Sequence, residues 1–236
     1  MRRRCDPGPL GIQDPYPFRA QPQVDGAVHD ALLVLEETVG HELNFAGENA
    51  LIIAADNVAL PNGNPHAAPL ANAIDGLRTA LAQSAALIAA RVSTLLDASL
   101  TGLPPFMARQ PGPESGALVL EYTAHAAVAE VRSLVTPVAA QTVAVSRGVE
   151  SHSSLAPIAA RRAEETLNAL RVVVATELVV AVRALRLARQ TPVGAGTREL
   201  WSLAQTHLNP DLSDRPLHQD VEAARRLIEG WKYELG

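Results

Sequence analysis

Apolar positions recur at helical spacing along most of this chain. From Val24 to about Leu43, the residues Val24, Ala27, Ala31, Val34 and Leu35 follow one another at intervals of three, four and one. Leu70 to about Leu100 gives the clearest signal, with Leu70, Ile74, Leu77, Leu81, Ala85, Ile88, Val92 and Leu95 alternating at three and four. Such a helix is roughly 45 Å long at 1.5 Å per residue. Its opposite face is Ala, Ser and Thr with little charge, which predicts burial there as well. Further helices are predicted from Gly116 to about Val145, with a kink at Pro137, and from Ile158 to about Arg189. Shorter ones are predicted over Leu200–His207 and from Leu217 to about Trp231.

The breaks are as regular as the helices. Pro7, Pro9, Pro15, Pro17 and Pro22 crowd the first 23 residues. Proline lacks the backbone donor and pushes its predecessor away from helix, so 1–23 reads as an extended arm or loop. Gly47, Pro61, Gly63 and Pro65 make 44–65 a long irregular connection, a length that inside a domain usually signals function. Pro104, Pro105, Gly112 and Pro113 mark a second loop, and Ser146–Pro157 a third. Val172-Val173-Val174 has strand propensity but sits inside a helical period, and no alternating strand is predicted. The expected fold class is therefore all-α: an arm over 1–23 and a single helical domain over 24–236. Three helices of about 30 residues, apolar on several faces, predict packing in a larger assembly.

Composition narrows the classes. Hydrophobic residues make up 47% of the 236 and charged ones 19%, which excludes a disordered tail. A formal net charge of −5 lacks the footprint of a nucleic-acid binder. No stretch of about 18 apolar residues is free of charge, so no membrane span is expected. The single cysteine, Cys5, excludes an internal disulfide framework, and no Cys/His cluster has zinc spacing. His29, His41, His125, His207 and His218 lack convergent carboxylates or cysteines, and no metal is expected. The basic start Met-Arg-Arg-Arg is followed by no apolar run, so a cytoplasmic setting is expected.

Six segments carry a resemblance. Gln13-Asp14-Pro15-Tyr16-Pro17-Phe18-Arg19 through Pro22-Gln23 resembles the Gln-Asp-x-Tyr-Ser-x-Arg-x-x-Pro-Gln segment of the aromatic amino acid ammonia-lyases. Glu42-Leu43-Asn44 with Glu48-Asn49-Ala50-Leu51 is similar to that family's Glu-x-Asn and Asp-Asn-Pro-Leu. Asn62-Gly63-Asn64-Pro65-His66 resembles its Gly-Gly-Asn-Phe-His. Leu103-Pro104-Pro105-Phe106, followed by Gly112 and Ser115-Gly116, looks like Leu-Pro-Pro-Phe-Leu, Gly and Ser-Gly. Glu150-Ser151-His152-Ser153-Ser154 resembles Gln-Glu-Asp-His-Val-Ser of the histidine-type members. Asp214-Arg215-Pro216-Leu217 with Asp220-Val221-Glu222 is similar to their carboxy-terminal helix. The segments stand in the family's order across nearly the whole chain.

The resemblance implies a long-helix bundle like the central and carboxy-terminal part of the ammonia-lyase fold, completed by oligomerisation. It covers only the carboxy-terminal half of a family member. Members make the electrophile 4-methylideneimidazol-5-one by cyclising an Ala-Ser-Gly triplet, which these 236 residues lack; Glu114-Ser115-Gly116 and Ala98-Ser99-Leu100 come nearest. The implied arrangement is a subunit or fragment whose electrophile comes from another chain, an amino-terminal lyase half, within a tetramer-like assembly. The implied substrate is an amino acid, and the implied reaction is α,β-elimination of ammonia or a 2,3-aminomutase shift.

Residue by residue, Tyr16 matches a tyrosine placed near the electrophile, an acid/base or polarising hydroxyl. Arg19 matches the arginine that binds the substrate carboxylate, a task suited to a planar two-pronged donor. Glu150 matches the glutamate near the substrate side chain, and Asn49 and Gln13 match polar pocket residues. His66 and His152 fall inside matching motifs and are read as structural. Pro65, Gly148, Val149, Pro17 and Ala50 depart from the pattern. They keep three other readings open: a non-catalytic scaffold subunit, an electrophile-free lyase or cyclase with Tyr16 as base, and a truncated lyase gene product.

Overall fold

The computed structural model describes residues 13–231, so Cys5, Pro7, Pro9 and the first twelve residues of the predicted arm lie outside the described residues. What is described of that arm is helical. Tyr16–Arg19 forms α1 and Gln21–Asn44 forms α2. Pro17 sits in the first turn of α1 and Pro22 in the first turn of α2. There the missing N–H would have no helical acceptor, so these prolines start helices rather than prevent them.

The connection at 44–65 holds a small antiparallel hairpin, β1 (Leu51–Ile53) paired with β2 (Val58–Leu60), with Ile52 opposite Ala59. Three-residue strands are too short to show a period of two, which is why the hydrophobic pattern predicts no strand there. The long central helix is α3 (Ala68–Leu96), and Ile74, Leu77, Leu81, Ala85, Ile88 and Val92 are buried along it as the spacing predicts. Its small-residue face is buried too, at Ala71, Ala73, Ala80 and Ala89. Instead of running to Leu100 it stops at Asp97, whose carboxylate accepts the Ser99 N–H at 2.8 Å and caps the short α4 (Ala98–Thr101). Among the described residues α3 alone is long and apolar enough to cross a membrane, but half of its most apolar stretch is buried in the fold.

The helix predicted over 116–145 is shorter. It is α5 (Leu118–Leu134). Pro137 cannot donate to the preceding turn, and buried side chains take over the freed backbone groups. Arg78, fully buried, donates to the carbonyl oxygens of Leu134 and of Thr136, the latter at 3.2 Å. The same guanidinium pairs with Asp75, whose second oxygen accepts the Ala139 N–H at 2.8 Å. The chain then continues through α6 (Ala156–Ala188), α7 (Ala195–His207) and α8 (His218–Gly230).

The described residues group into two compact units. Unit I comprises 13–22, 84–131 and 168–231; unit II comprises 23–83 and 132–167. In unit II, Ile74, Val138 and Ala159 form a buried cluster with Leu35, Leu70, Leu155 and Ala163 against it. Unit I is organised by buried arginines. Arg183 donates to the carbonyls of Met107 at 2.9 Å and Leu212 at 2.6 Å, and burial holds its guanidinium below the usual arginine range. Arg91 forms a two-pronged pair with Glu177, at 2.5 and 3.0 Å.

Candidate active site

The first motif begins at Gln13 and becomes one helical turn. Positions 16 and 19 are three apart, so Tyr16 and Arg19 project from the same side of α1. The Arg19 guanidinium carbon lies 5.3 Å from the centre of the Tyr16 ring, and Arg19 Nε donates to the Asp14 carbonyl at 2.9 Å. That backbone bond fixes the stem of the arginine. Tyr16 is 68% exposed, and Gln13 and Arg19 are exposed as well. These three residues belong to unit I.

The second cluster lies in unit II. A cleft of about 570 Å³ is lined by Asn49, Asn62, Pro65, His66, Glu150 and His152, with Ser151, Ser153, Ser154, Val145 and Val149. Three motifs that are far apart in sequence therefore meet there. Glu150 is exposed, and its carbonyl closes a bridge with the Val145 N–H at 2.9 Å. Asn49 is held from behind: its Oδ1 accepts the Asn62 N–H at 3.1 Å. Asn62 Nδ2 donates to the carbonyls of Glu48 and Leu60, at 3.0 and 3.1 Å, and its Oδ1 accepts the Asn64 N–H at 2.8 Å. Asn64 Nδ2 donates in turn to the Ala46 carbonyl at 3.1 Å. The Asn-Gly-Asn of the third motif is thus a scaffold that ties the loop around the hairpin, with Asn62 as its centre. Nothing in the hydrophobic pattern points to Asn62. The repeated Asn around a glycine is a turn signal that could have found it.

Two other motif pieces are structural. Asp214 accepts the N–H groups of Ser115 and Gly116, at 2.7 and 2.8 Å, ahead of α5. Those amides, Ser115 first, hold its carboxyl below the ordinary 3.8. Arg215 pairs with the buried Asp220 at 2.5 Å, and the bond to Asp220 raises its guanidinium above the usual range. These contacts fix the loops before α5 and α8.

The structure therefore brings Tyr16 beside Arg19 in one unit and Asn49 into one cleft with Glu150 in the other. A family model for aromatic amino acid lyase matches residues 6–206. The chain belongs to the aromatic amino acid lyase family.

Within that family it is 36% identical over 227 residues to a histidine ammonia-lyase from Caldanaerobacter subterraneus subsp. tengcongensis, covering 96% of this chain and 45% of the relative. It is 34% identical to a histidine ammonia-lyase from Stigmatella aurantiaca, covering 92% and 43%. Among solved structures it is similar to ergothionase from Treponema denticola, with a TM-score of 0.89 and 26% identity, over 95% of this chain and 46% of that one. Phenylalanine aminomutase from Pantoea agglomerans gives a TM-score of 0.89 and 27% identity, over 97% and 45%. The chain spans about half the length of the curated relatives it matches. The all-α lyase fold expected from the motifs is the fold observed, and the family's members use a 4-methylideneimidazol-5-one electrophile.

Proposed function

We propose that this chain is a carboxy-terminal subunit or fragment of an ammonia-lyase-like enzyme, supplying substrate-binding groups to a site whose electrophile comes from another chain. Family membership supports the reaction class, and one observation carries the assignment of residues. The unit II cleft gathers Asn49 and Glu150 from motifs about a hundred positions apart, on a loop scaffold tied together by Asn62.

The chemistry divides among this chain's residues. Arg19, exposed on α1, takes the substrate carboxylate by paired charge-assisted bonds. The Tyr16 hydroxyl, exposed beside it, is the group placed to exchange a proton with the substrate. Glu150 holds a polar or cationic substrate side chain, with Asn49 as a polar neighbour in the unit II cleft, and Gln13 is the polar group of the unit I motif. The electrophile, when present, supplies an electron sink at the amine or ring and so makes loss of ammonia feasible. Tyr16 and Arg19 suit that role because they are exposed and adjacent, open to a group arriving from outside these residues. The substrate is an α-amino acid, and the product is an unsaturated acid or a β-amino acid. The setting is cytoplasmic, and the partner is an amino-terminal lyase half in a tetramer-like assembly.

The test is to co-express the chain with its upstream neighbour, purify through a tag on this chain alone, and weigh what co-purifies. A partner lighter than its gene predicts by two waters, with near-ultraviolet absorbance beyond its aromatics, is the expected result. A partner of unmodified mass, or none, overturns it. The scaffold-subunit reading has its own observation. Val149, 86% exposed, lines the cleft beside Glu150 where family members carry a polar residue. It takes over if the assembly forms without an electrophile.

A further inference from the structure

Two imidazoles that the proposed chemistry leaves without a role meet in the unit II cleft. His66 Nε2 lies 2.8 Å from His152 Nδ1, with ring centres 4.9 Å apart and planes tilted by 42°. At that separation two lone pairs would repel and two N–H groups would collide. One nitrogen therefore carries the hydrogen and the other accepts it. The bond can exist while at least one ring is neutral, and it cannot exist when both are imidazolium.

The bond has a mechanical consequence. It ties the segment that carries Glu150 to the segment that carries Asn62, 86 positions away. The Glu150 segment has little to hold it in shape. Ser146, Arg147 and Gly148 run at φ of 54°, 59° and 86°, a left-handed stretch that is costly for the first two. Its other hydrogen bonds among the described residues are local, such as Val145 to Glu150 and the Ser153 N–H to Thr142 Oγ1 at 2.8 Å. Besides the two rings, Glu150 is the one titratable group lining the cleft, and Asn49, Asn62 and the serines there are neutral. Glu48 and Arg147 are the charged residues next to these motifs along the two segments.

We propose that His66 and His152 are positioning residues: their N–H···N bond clasps the Glu150 segment to the Asn62 segment and fixes the carboxylate in the cleft. The clasp is a deepening of the lyase reading, because it gives Glu150 its place. It is tested without substrate.

Hydrogen exchange of the peptide spanning 142–155 is followed by mass spectrometry in the full chain, in whatever assembly it forms. His66→Ala is expected to lower the protection of this peptide about five-fold, the scale of one net hydrogen bond. The paired variant His66→Gln with His152→Asn places amide groups where Nε2 and Nδ1 stand, so that one donates to the other. It is expected to restore wild-type protection. A His66→Ala peptide as protected as the wild type, or a paired variant as unprotected as His66→Ala, overturns the clasp. The two readings fail separately. A His66-dependent loop in a complex with no electrophile sinks the lyase and leaves the clasp, and a loop indifferent to His66→Ala in an active complex does the reverse.

Discussion

A Cβ at position 116 would stand 2.5 Å from the Phe106 carbonyl oxygen and 2.6 Å from the Ala108 nitrogen, and Gly116 already has φ of +59°. Only glycine fits both constraints. Gly116→Ala is expected to cost about 2–4 kcal/mol in urea unfolding through strain and backbone displacement. The neighbouring Asp214 gives a pH signature. Its carboxyl titrates lower in the folded chain than its ordinary 3.8, so the charged form favours folding. That stabilisation is complete above the ordinary value and is lost as pH falls through the lowered one. Asp214→Asn should therefore reduce Tm at neutral pH, with the gap to wild type closing below about pH 3.8. At the proposed site, Arg19→Ala in a reconstituted complex should raise KM about ten-fold or more, as expected for loss of a charge-assisted bond. Its unfolding midpoint should not change. Glu150→Gln should shift preference among amino acids more than it shifts assembly, and a panel of substrates checks this.

Elements end here where side chains from elsewhere meet their open backbone groups. The close of α5 depends on Arg78 and Asp75, both buried. Removing one member leaves the other charged and unpaired. Arg78→Ala is expected to cost about 3–5 kcal/mol. Asp75→Leu with Arg78→Met should cost less than the two single changes added together, because the orphaned charge disappears. A double-mutant cycle in denaturant measures the difference. Helix α2 shows the opposite condition. None of its 24 residues is buried, and Leu32, Leu33, Val34 and Leu43 are about half or more exposed. Its predicted stripe is partly covered, with Val24, Ala31 and Leu35 half-buried and Leu35 against the Ile74 cluster, while Leu32, Leu33, Val34 and Leu43 are exposed.

Those exposed residues set the expectation for the whole molecule. Exposed leucines and valines over several helical turns, on a chain spanning about half the length of its relatives, favour association. We expect the purified chain to elute above monomer size. Leu32→Glu with Leu33→Glu should lower that size while leaving the helical circular dichroism intact. A wild-type monomer that melts cooperatively when dilute would overturn the expectation. Association would also be the route by which the exposed Tyr16 and Arg19 of unit I gain surroundings.

The sequence by itself determined the helices and the family. Leu70 to Val92 falls at three and four because a single buried stripe requires it, and the six motifs stand in order because each loop keeps its own turn chemistry. Those are local constraints, and local constraints are written in local residues. Tertiary structure decided the rest. It stopped α5 at Leu134 by way of Arg78, 56 positions away. It grouped segments distant in sequence into two compact units. It also brought Asn49, His66, Glu150 and His152 to one cleft. The end of α5, the two units and the cleft depend on partners far off in the chain, and spacing along a sequence carries no record of distance across a fold.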